Sequence, residues 1–92
     1  MELRYRNSFY RDLDSIANRE LKREIEKLIL RISHAHVISS IPRMKQLRNC
    51  NIYEYKIELR VQTKKYWILC DVHSTRIIFT GIKSESWCKA NL

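Results

Sequence analysis

The residues best suited to chemistry are the lysines and arginines in the second half of the chain. Residues 35–92 hold ten Lys or Arg against four Asp or Glu, a balance of +6, whereas residues 1–34 hold eight against six, a balance of +2. From Tyr53 to Arg60 apolar and charged residues alternate, so one strand face is buried and the other carries Lys56, Glu58 and Arg60. A basic sheet face indicates a polyanionic partner, and RNA or DNA are the leading candidates.

Other kinds of chemical site have less support in the sequence. The cysteines Cys50, Cys70 and Cys88 are odd in number and have no CxxC spacing, so they imply neither a disulfide framework nor a zinc site. The pair His34 and His36 lacks a third ligand at suitable spacing. We therefore expect no metal and no small-molecule cofactor.

The size of the chain predicts one domain over residues 1–92. A length of 92 residues is too short for two separate cores, and the composition, 45% hydrophobic and 30% charged, is that of a globular protein. The formal charge of +8 is large for this size. The start Met1–Arg6 is charged, and no apolar run approaches membrane-spanning length, so we predict a cytoplasmic protein without a membrane partner.

The first half of the chain predicts a strand and two helices. Leu3 and Tyr5 alternate with charged residues, as in a short strand, and Ser8 is a candidate N-cap for a first helix that ends near Ala17. Asn18 is a candidate cap for a second helix. The apolar residues of that helix have helical spacing: Leu21, Ile25, Leu28, Ile29 and Ile32. The opposite face carries Lys22, Arg23, Glu26 and Lys27, with Lys22 and Glu26 four residues apart, and is expected to stay in water.

The second half predicts a loop, three strands and a short terminal segment. Residues 33–51 lack regular spacing, so we expect a surface loop held by Ile41, Met44 and Leu47, with Arg43, Lys45 and Arg48 outside. Three strands follow, with turns near residues 62–65 and 73–75, and the middle strand Tyr66–Val72 is apolar enough to be central. Aromatic residues expected in the core are Tyr53, Tyr55, Trp67 and Phe79. The tail from Lys83 to Leu92 is expected to be a short helix or a bound extension.

This order of elements predicts an α+β fold, and several stretches resemble the RelE/ParE superfamily of bacterial toxins. The resemblance is carried by Leu47-Arg48, by Tyr55–Arg60, by the strand after the turn, and by Lys83 and Trp87. It implies a single toxin domain in which an N-terminal strand is followed by a helical hairpin. That hairpin would pack on one face of a curved, antiparallel-dominated sheet.

The resemblance also implies an activity. RelE-type toxins enter the ribosomal A site and cut mRNA without a metal, by attack of a ribose 2'-OH on the adjacent phosphate. That reaction needs a base, cations on the phosphorane and an acid for the leaving oxygen. By motif position, Arg48, Lys56 and Lys83 match the basic residues of the family. Candidate catalytic residues are therefore Lys56, Lys83, Lys65 and Trp87, and candidate RNA-binding residues are Arg48 and Arg60, together with Lys45 and Arg43 of the predicted loop.

Three departures from the family pattern keep other functions open. Glu58 stands where several ribonuclease members have a basic residue, Lys65-Tyr66 replaces a common Tyr-Arg, and Trp87 has no phenol proton to donate. The alternatives are a ParE-like inhibitor of DNA gyrase and a noncatalytic basic RNA-binding domain. Without the family, the same lysines are equally explained as a solvated strand face. For the ribonuclease, the implied partners are an acidic antitoxin and the ribosome with its mRNA.

Overall fold

The described residues fold into three α-helices and a five-stranded sheet. The structure, a computed structural model, describes residues 1–47 and 53–92. Its elements, in chain order, are β1 (Glu2–Tyr5), α1 (Asn7–Asp14), α2 (Arg19–Ser33), a 3-10 turn (Ile38–Ser40), β2 (Met44–Gln46), β3 (Glu54–Val61), β4 (Lys64–His73), β5 (Arg76–Ser84) and α3 (Glu85–Asn91). The predicted α+β class is confirmed. Among the described residues, no helix is long and apolar enough to cross a membrane.

The sheet has the strand order β1-β5-β4-β3-β2. Only the β1–β5 pair is parallel, so the sheet is mostly antiparallel, as predicted, and β4 is its central strand. Two-residue loops join β3 to β4 and β4 to β5, because Val61 pairs with Lys64 and His73 with Arg76. The first turn is tighter than predicted, and Lys64 and Lys65 already belong to β4.

The helix α2 forms where the apolar spacing predicts it. The side chain of Asn18 accepts hydrogen bonds from the backbone N–H groups of Glu20 and Leu21, which confirms the predicted cap. Apolar residues one turn apart, including Ile25, are buried in the core that α2 shares with the sheet. The charged face of α2 is open to solvent, as predicted, since Arg23, Glu26 and Lys27 are exposed, and an ion pair there joins Lys27 Nζ to Glu24 at 3.2 Å.

The helix α1 starts earlier and ends earlier than predicted. Its N-cap is Arg6, and the hydroxyl of Ser8 instead donates to the carbonyl of Thr80 at 2.6 Å. The helix ends at Asp14, before the predicted Ala17. Phe9 packs on the ring of Phe79, with the ring centroids 5.7 Å apart, and this contact holds α1 against β5.

Part of the predicted loop is a strand. Met44–Gln46 pairs with β3, so that Lys45 lies directly opposite Lys56. Three residues are too few to show a two-residue alternation in the sequence, which is why this strand was missed. Ile41 is buried and Met44 packs partly against the core, as predicted. The predicted role of Arg48 concerns a residue outside the described ranges.

Helix α1 covers the part of the β5 edge with which β1 does not pair. The strand β1 pairs only with Arg76–Phe79. Farther along, Asp12 Oδ2 accepts a hydrogen bond from the backbone N–H of Ile82 at 2.9 Å. A Cβ atom on Gly81, the only glycine of the sequence, would lie 3.0 Å from the same carboxylate oxygen. Glycine at this position therefore allows Asp12 to approach the strand.

Candidate nucleic-acid interface

The two faces of the sheet differ in chemistry. Residues paired across neighbouring strands share a face, and Ile57 and Ile68 lie on the face covered by α1 and α2. The opposite face, called here the polar face, carries Glu58, Trp67 and Lys83 side by side on three strands. The helix α3 packs on this polar face, where Glu85 accepts a hydrogen bond from Trp67 Nε1 at 2.9 Å.

Three lysines surround the buried ring of Trp67. Their Nζ atoms lie 4.1 Å (Lys56), 5.7 Å (Lys65) and 5.8 Å (Lys45) from the ring centroid. Cations over an indole face are attracted to its π electrons, so the ring holds them near one another. Lys45, Lys56 and Lys65 together form the lysine cluster. Trp67 is only 3% exposed, but the prediction that it belongs to the main core is wrong, because it lies on the polar face.

Two members of the lysine cluster form no ion pair with a carboxylate of the described residues. Lys45 and Lys56 face each other across β2 and β3, and like charges directly opposite in a sheet are destabilising. Within residues 1–47 and 53–92, no carboxylate oxygen lies within 4.0 Å of either ammonium group. An anion bound from solvent would relieve this repulsion.

Three cations, one of them from the lysine cluster, converge on Glu58. Its side chain is 13% exposed, and its carboxylate oxygens lie 3.3 Å from Lys65 Nζ, 3.5 Å from Arg60 Nε and 4.0 Å from Arg43 Nη1. Burial raises the pKa of Glu58, but the three cations together outweigh burial and leave that pKa below its usual value. Glu58 is therefore ionised at neutral pH, and three predicted functional cations share an internal anion.

A second carboxylate borders the lysine cluster. Glu85 lies at the start of α3, and its hydrogen bond from Trp67, followed by the charge of Lys65 3.7 Å away, holds its pKa below the usual value. The contact fixes the first turn of α3 against β4. Glu85 also compensates part of the positive charge at Lys65.

The remaining two catalytic candidates form a separate group. Lys83 Nζ lies 3.1 Å from Asp12 Oδ2 and 4.8 Å from the centroid of the Trp87 ring, which is 37% exposed. Glu85 and Trp87 are two residues apart on α3 and therefore point to different sides of the helix. The structure brings Lys56 and Lys65 together at Trp67 and places Lys83 with Trp87 on the other side of α3.

The aromatic residues and the cysteine predicted for the core differ in how deeply they are buried. Phe79 is fully buried and Tyr55 partly buried, as predicted, whereas Tyr53 is 44% exposed and stacks on His73 with centroids 4.4 Å apart. Cys70 is buried in the core, as predicted, and burial raises its pKa to about 12. In the described part of the chain, no three His, Cys, Asp or Glu side chains are grouped as metal ligands.

The partners of the cations were not apparent from the sequence. Asp12 is 71 residues from Lys83, and no local spacing links the two. The position of Trp67 did have a signal, because alternation within β4 places it opposite to Tyr66 and Ile68. No family model, no curated protein and no solved structure matches this chain.

Proposed function

We propose that this chain is a RelE/ParE-like toxin of a type II toxin–antitoxin system that cuts mRNA on the ribosome. The observation that supports RNA as the substrate is the lysine cluster, in which Lys45 and Lys56 have no carboxylate partner in the described part of the chain. Single-stranded RNA presents one phosphate per nucleotide, and such cations bind it independently of its sequence.

The proposed chemistry is attack of a ribose 2'-OH on its neighbouring phosphate. The bond from phosphorus to the 2'-oxygen forms as the hydroxyl loses its proton, the bond to the 5'-oxygen breaks, and the leaving 5'-oxygen takes up a proton, which gives a 2',3'-cyclic phosphate and a 5'-hydroxyl. Lys56, at the centre of the lysine cluster, is proposed to contact the reacting phosphodiester, either as the base for the hydroxyl or as a cation on the phosphorane. Lys65 is proposed to hold a phosphate oxygen. Lys83 and Trp87, across α3, are proposed to bind the next part of the RNA, and the half-exposed indole of Trp87 suits stacking on a base.

The proposed partners follow from the same charges. An acidic antitoxin would cover the polar face and neutralise part of the net charge of +8. The ribosome would present the mRNA in the geometry that the cut requires.

Replacing Lys56 by alanine tests the proposed reaction. In a translation extract with a reporter mRNA, the wild-type protein should produce fragments that end in 2',3'-cyclic phosphate. Lys56→Ala should lower the rate of cutting by about 100-fold or more, the range expected for loss of a group that transfers a proton or stabilises the transition state. Primer extension on the reporter mRNA measures the rate.

The control is Lys22→Ala, which removes the same charge from α2, on the opposite side of the sheet. It should cut at the wild-type rate. Equal loss of cutting in both variants would show that net charge, and not the lysine cluster, is responsible. Intact mRNA with the wild-type protein would contradict the proposed function.

The alternative is a ParE-like gyrase inhibitor, and one observation favours it. Three carboxylates, from Asp12, Glu58 and Glu85, already contact cations of the polar face. A face whose positive charge is partly compensated in this way is also suited to a protein surface. Loss of DNA supercoiling by gyrase with mRNA left intact would support this alternative, and absence of both effects with RNA still bound would leave a noncatalytic RNA-binding domain.

A further inference from the structure

One carboxylate balances only part of the positive charge around Glu58. Its two oxygens lie 3.3 Å from Lys65 Nζ, 3.5 Å from Arg60 Nε and 4.0 Å from Arg43 Nη1. Charge-assisted hydrogen bonds are usually about 2.7–2.9 Å long, and none of the three contacts is that short. Three positive charges thus share one negative charge, which favours a further or more highly charged anion at this position.

Solvent reaches the two arginines around Glu58 more easily than it reaches Glu58 itself. The side chains of Arg43 and Arg60 are 61% and 60% exposed, whereas that of Glu58 beneath them is 13% exposed. A hollow of about 330 Å³ between α2 and β3 adjoins all three residues, and Lys27, Arg31 and the acidic Glu24 of α2 also line it. An anion that enters from solvent therefore meets guanidinium groups before it meets the carboxylate.

The backbone at Arg43 is held in an unfavourable conformation. Arg43 has φ of 60°, in the left-handed region that residues with a Cβ rarely adopt. Its carbonyl accepts a hydrogen bond from the backbone N–H of Glu58 at 3.1 Å, which fixes it beside that residue. Strain of this kind is commonly found at binding sites, where the surrounding structure maintains it.

From these observations we infer that Arg43, Arg60 and Lys65 form a phosphate-binding site that the carboxylate of Glu58 fills in the free protein. A phosphate group competes with Glu58 for the three cations and offers more acceptor oxygens to satisfy them. The identification of this phosphate as part of an RNA backbone rests on the proposed function. Lys65 also belongs to the lysine cluster, so an RNA strand bound at that cluster would continue directly into this site.

The substitution Glu58→Gln tests the inference, because it keeps the shape of the side chain and removes its charge. Glu26→Gln is the matched control: it makes the same change in net charge at an exposed position of α2. Binding of inorganic phosphate is measured by calorimetry, and the site is mapped by NMR signals of the arginine Nε–H groups. Affinity for a short single-stranded RNA is measured at several salt concentrations.

Glu58→Gln should bind phosphate at least about tenfold more tightly than the wild type or Glu26→Gln, with shifts at Arg43 and Arg60. For RNA, the slope of log affinity against log salt should become steeper by about 0.7, the change expected for one additional neutralised phosphate. If Glu58→Gln unfolds at low salt through repulsion among the cations, phosphate should restore its near-ultraviolet circular dichroism where chloride of equal ionic strength does not.

The inference is overturned if Glu58→Gln and Glu26→Gln have the same phosphate affinity and the same salt slope, or if chloride and phosphate refold the variant equally. Failure of the proposed function gives a different result. In that case Glu58→Gln gains phosphate binding at Arg43 and Arg60, while neither the wild type nor the variant binds RNA.

Discussion

Asp12 joins a helix, a strand and a functional candidate through one carboxylate. It accepts a hydrogen bond from the backbone N–H of Ile82 and lies 3.1 Å from Lys83 Nζ. The missing side chain of Gly81 leaves room for this approach. A residue that could be read as an ordinary helix-surface aspartate thus fixes both the edge of β5 and the position of Lys83.

Replacing Asp12 by alanine should destabilise the fold. Asp12→Ala leaves the N–H of Ile82 without its acceptor at a part-buried position, which should cost about 1–3 kcal/mol. Asp14→Ala removes the same charge from an exposed position of the same helix and should change the free energy of unfolding by less than about 0.5 kcal/mol. Urea denaturation measures both values. Equal effects of the two substitutions would mean that Asp12 acts only through its charge.

At the residue scale, short-range interactions were predictable and long-range ones were not. The cap at Asn18 depends on a residue and the two N–H groups that follow it, so the sequence contains all of it. The contact of Glu58 with Arg43 and Lys65 brings together β3, β4 and the turn before β2. The sequence indicated that Glu58 departs from the pattern of the RelE/ParE toxins, but its contact with three cations depends on the register of the sheet.

Among the elements, those with a long apolar repeat were predicted and those without one were missed. The helix α2 has five apolar residues at helical spacing, and β3 has a full alternation, so both were placed correctly. The strand β2 is only three residues long and forms because β3 offers it an edge. The placement of α3 on the polar face depends on Trp67 and Glu85, which are 18 residues apart.

The β4–β5 hairpin allows a test of its turn. Ser74 has φ of 50°, whereas Thr75, the other loop residue, is not among the residues with positive φ. Ser74→Gly should raise the free energy of unfolding by up to about 1 kcal/mol, because glycine adopts this conformation without steric cost. Thr75→Gly should lower it by about 0.5–1 kcal/mol through added freedom of the unfolded chain. Thermal denaturation compares the two variants, and the opposite order would contradict the assigned turn geometry.

On the scale of the whole molecule, the two faces of the sheet differ in composition. The face toward α1 and α2 forms the main apolar core, while the polar face holds the lysine cluster, Glu58 and α3. The alternation within β3 correctly predicted that Lys56, Glu58 and Arg60 lie on one face of the sheet. The division of that face by α3 into a group at Trp67 and a group at Trp87 could not be predicted, since it depends on how the last helix packs.

The central claim is that RNA binds on the polar face at the lysine cluster. An NMR titration with a short single-stranded RNA, protected from cutting by 2'-O-methyl groups, tests it most directly by following the backbone amide signals. The largest shifts are expected at Lys45, Lys56 and Lys65, with weaker ones along α3. Shifts concentrated on α1 and α2, or none at any RNA concentration, would contradict the claim.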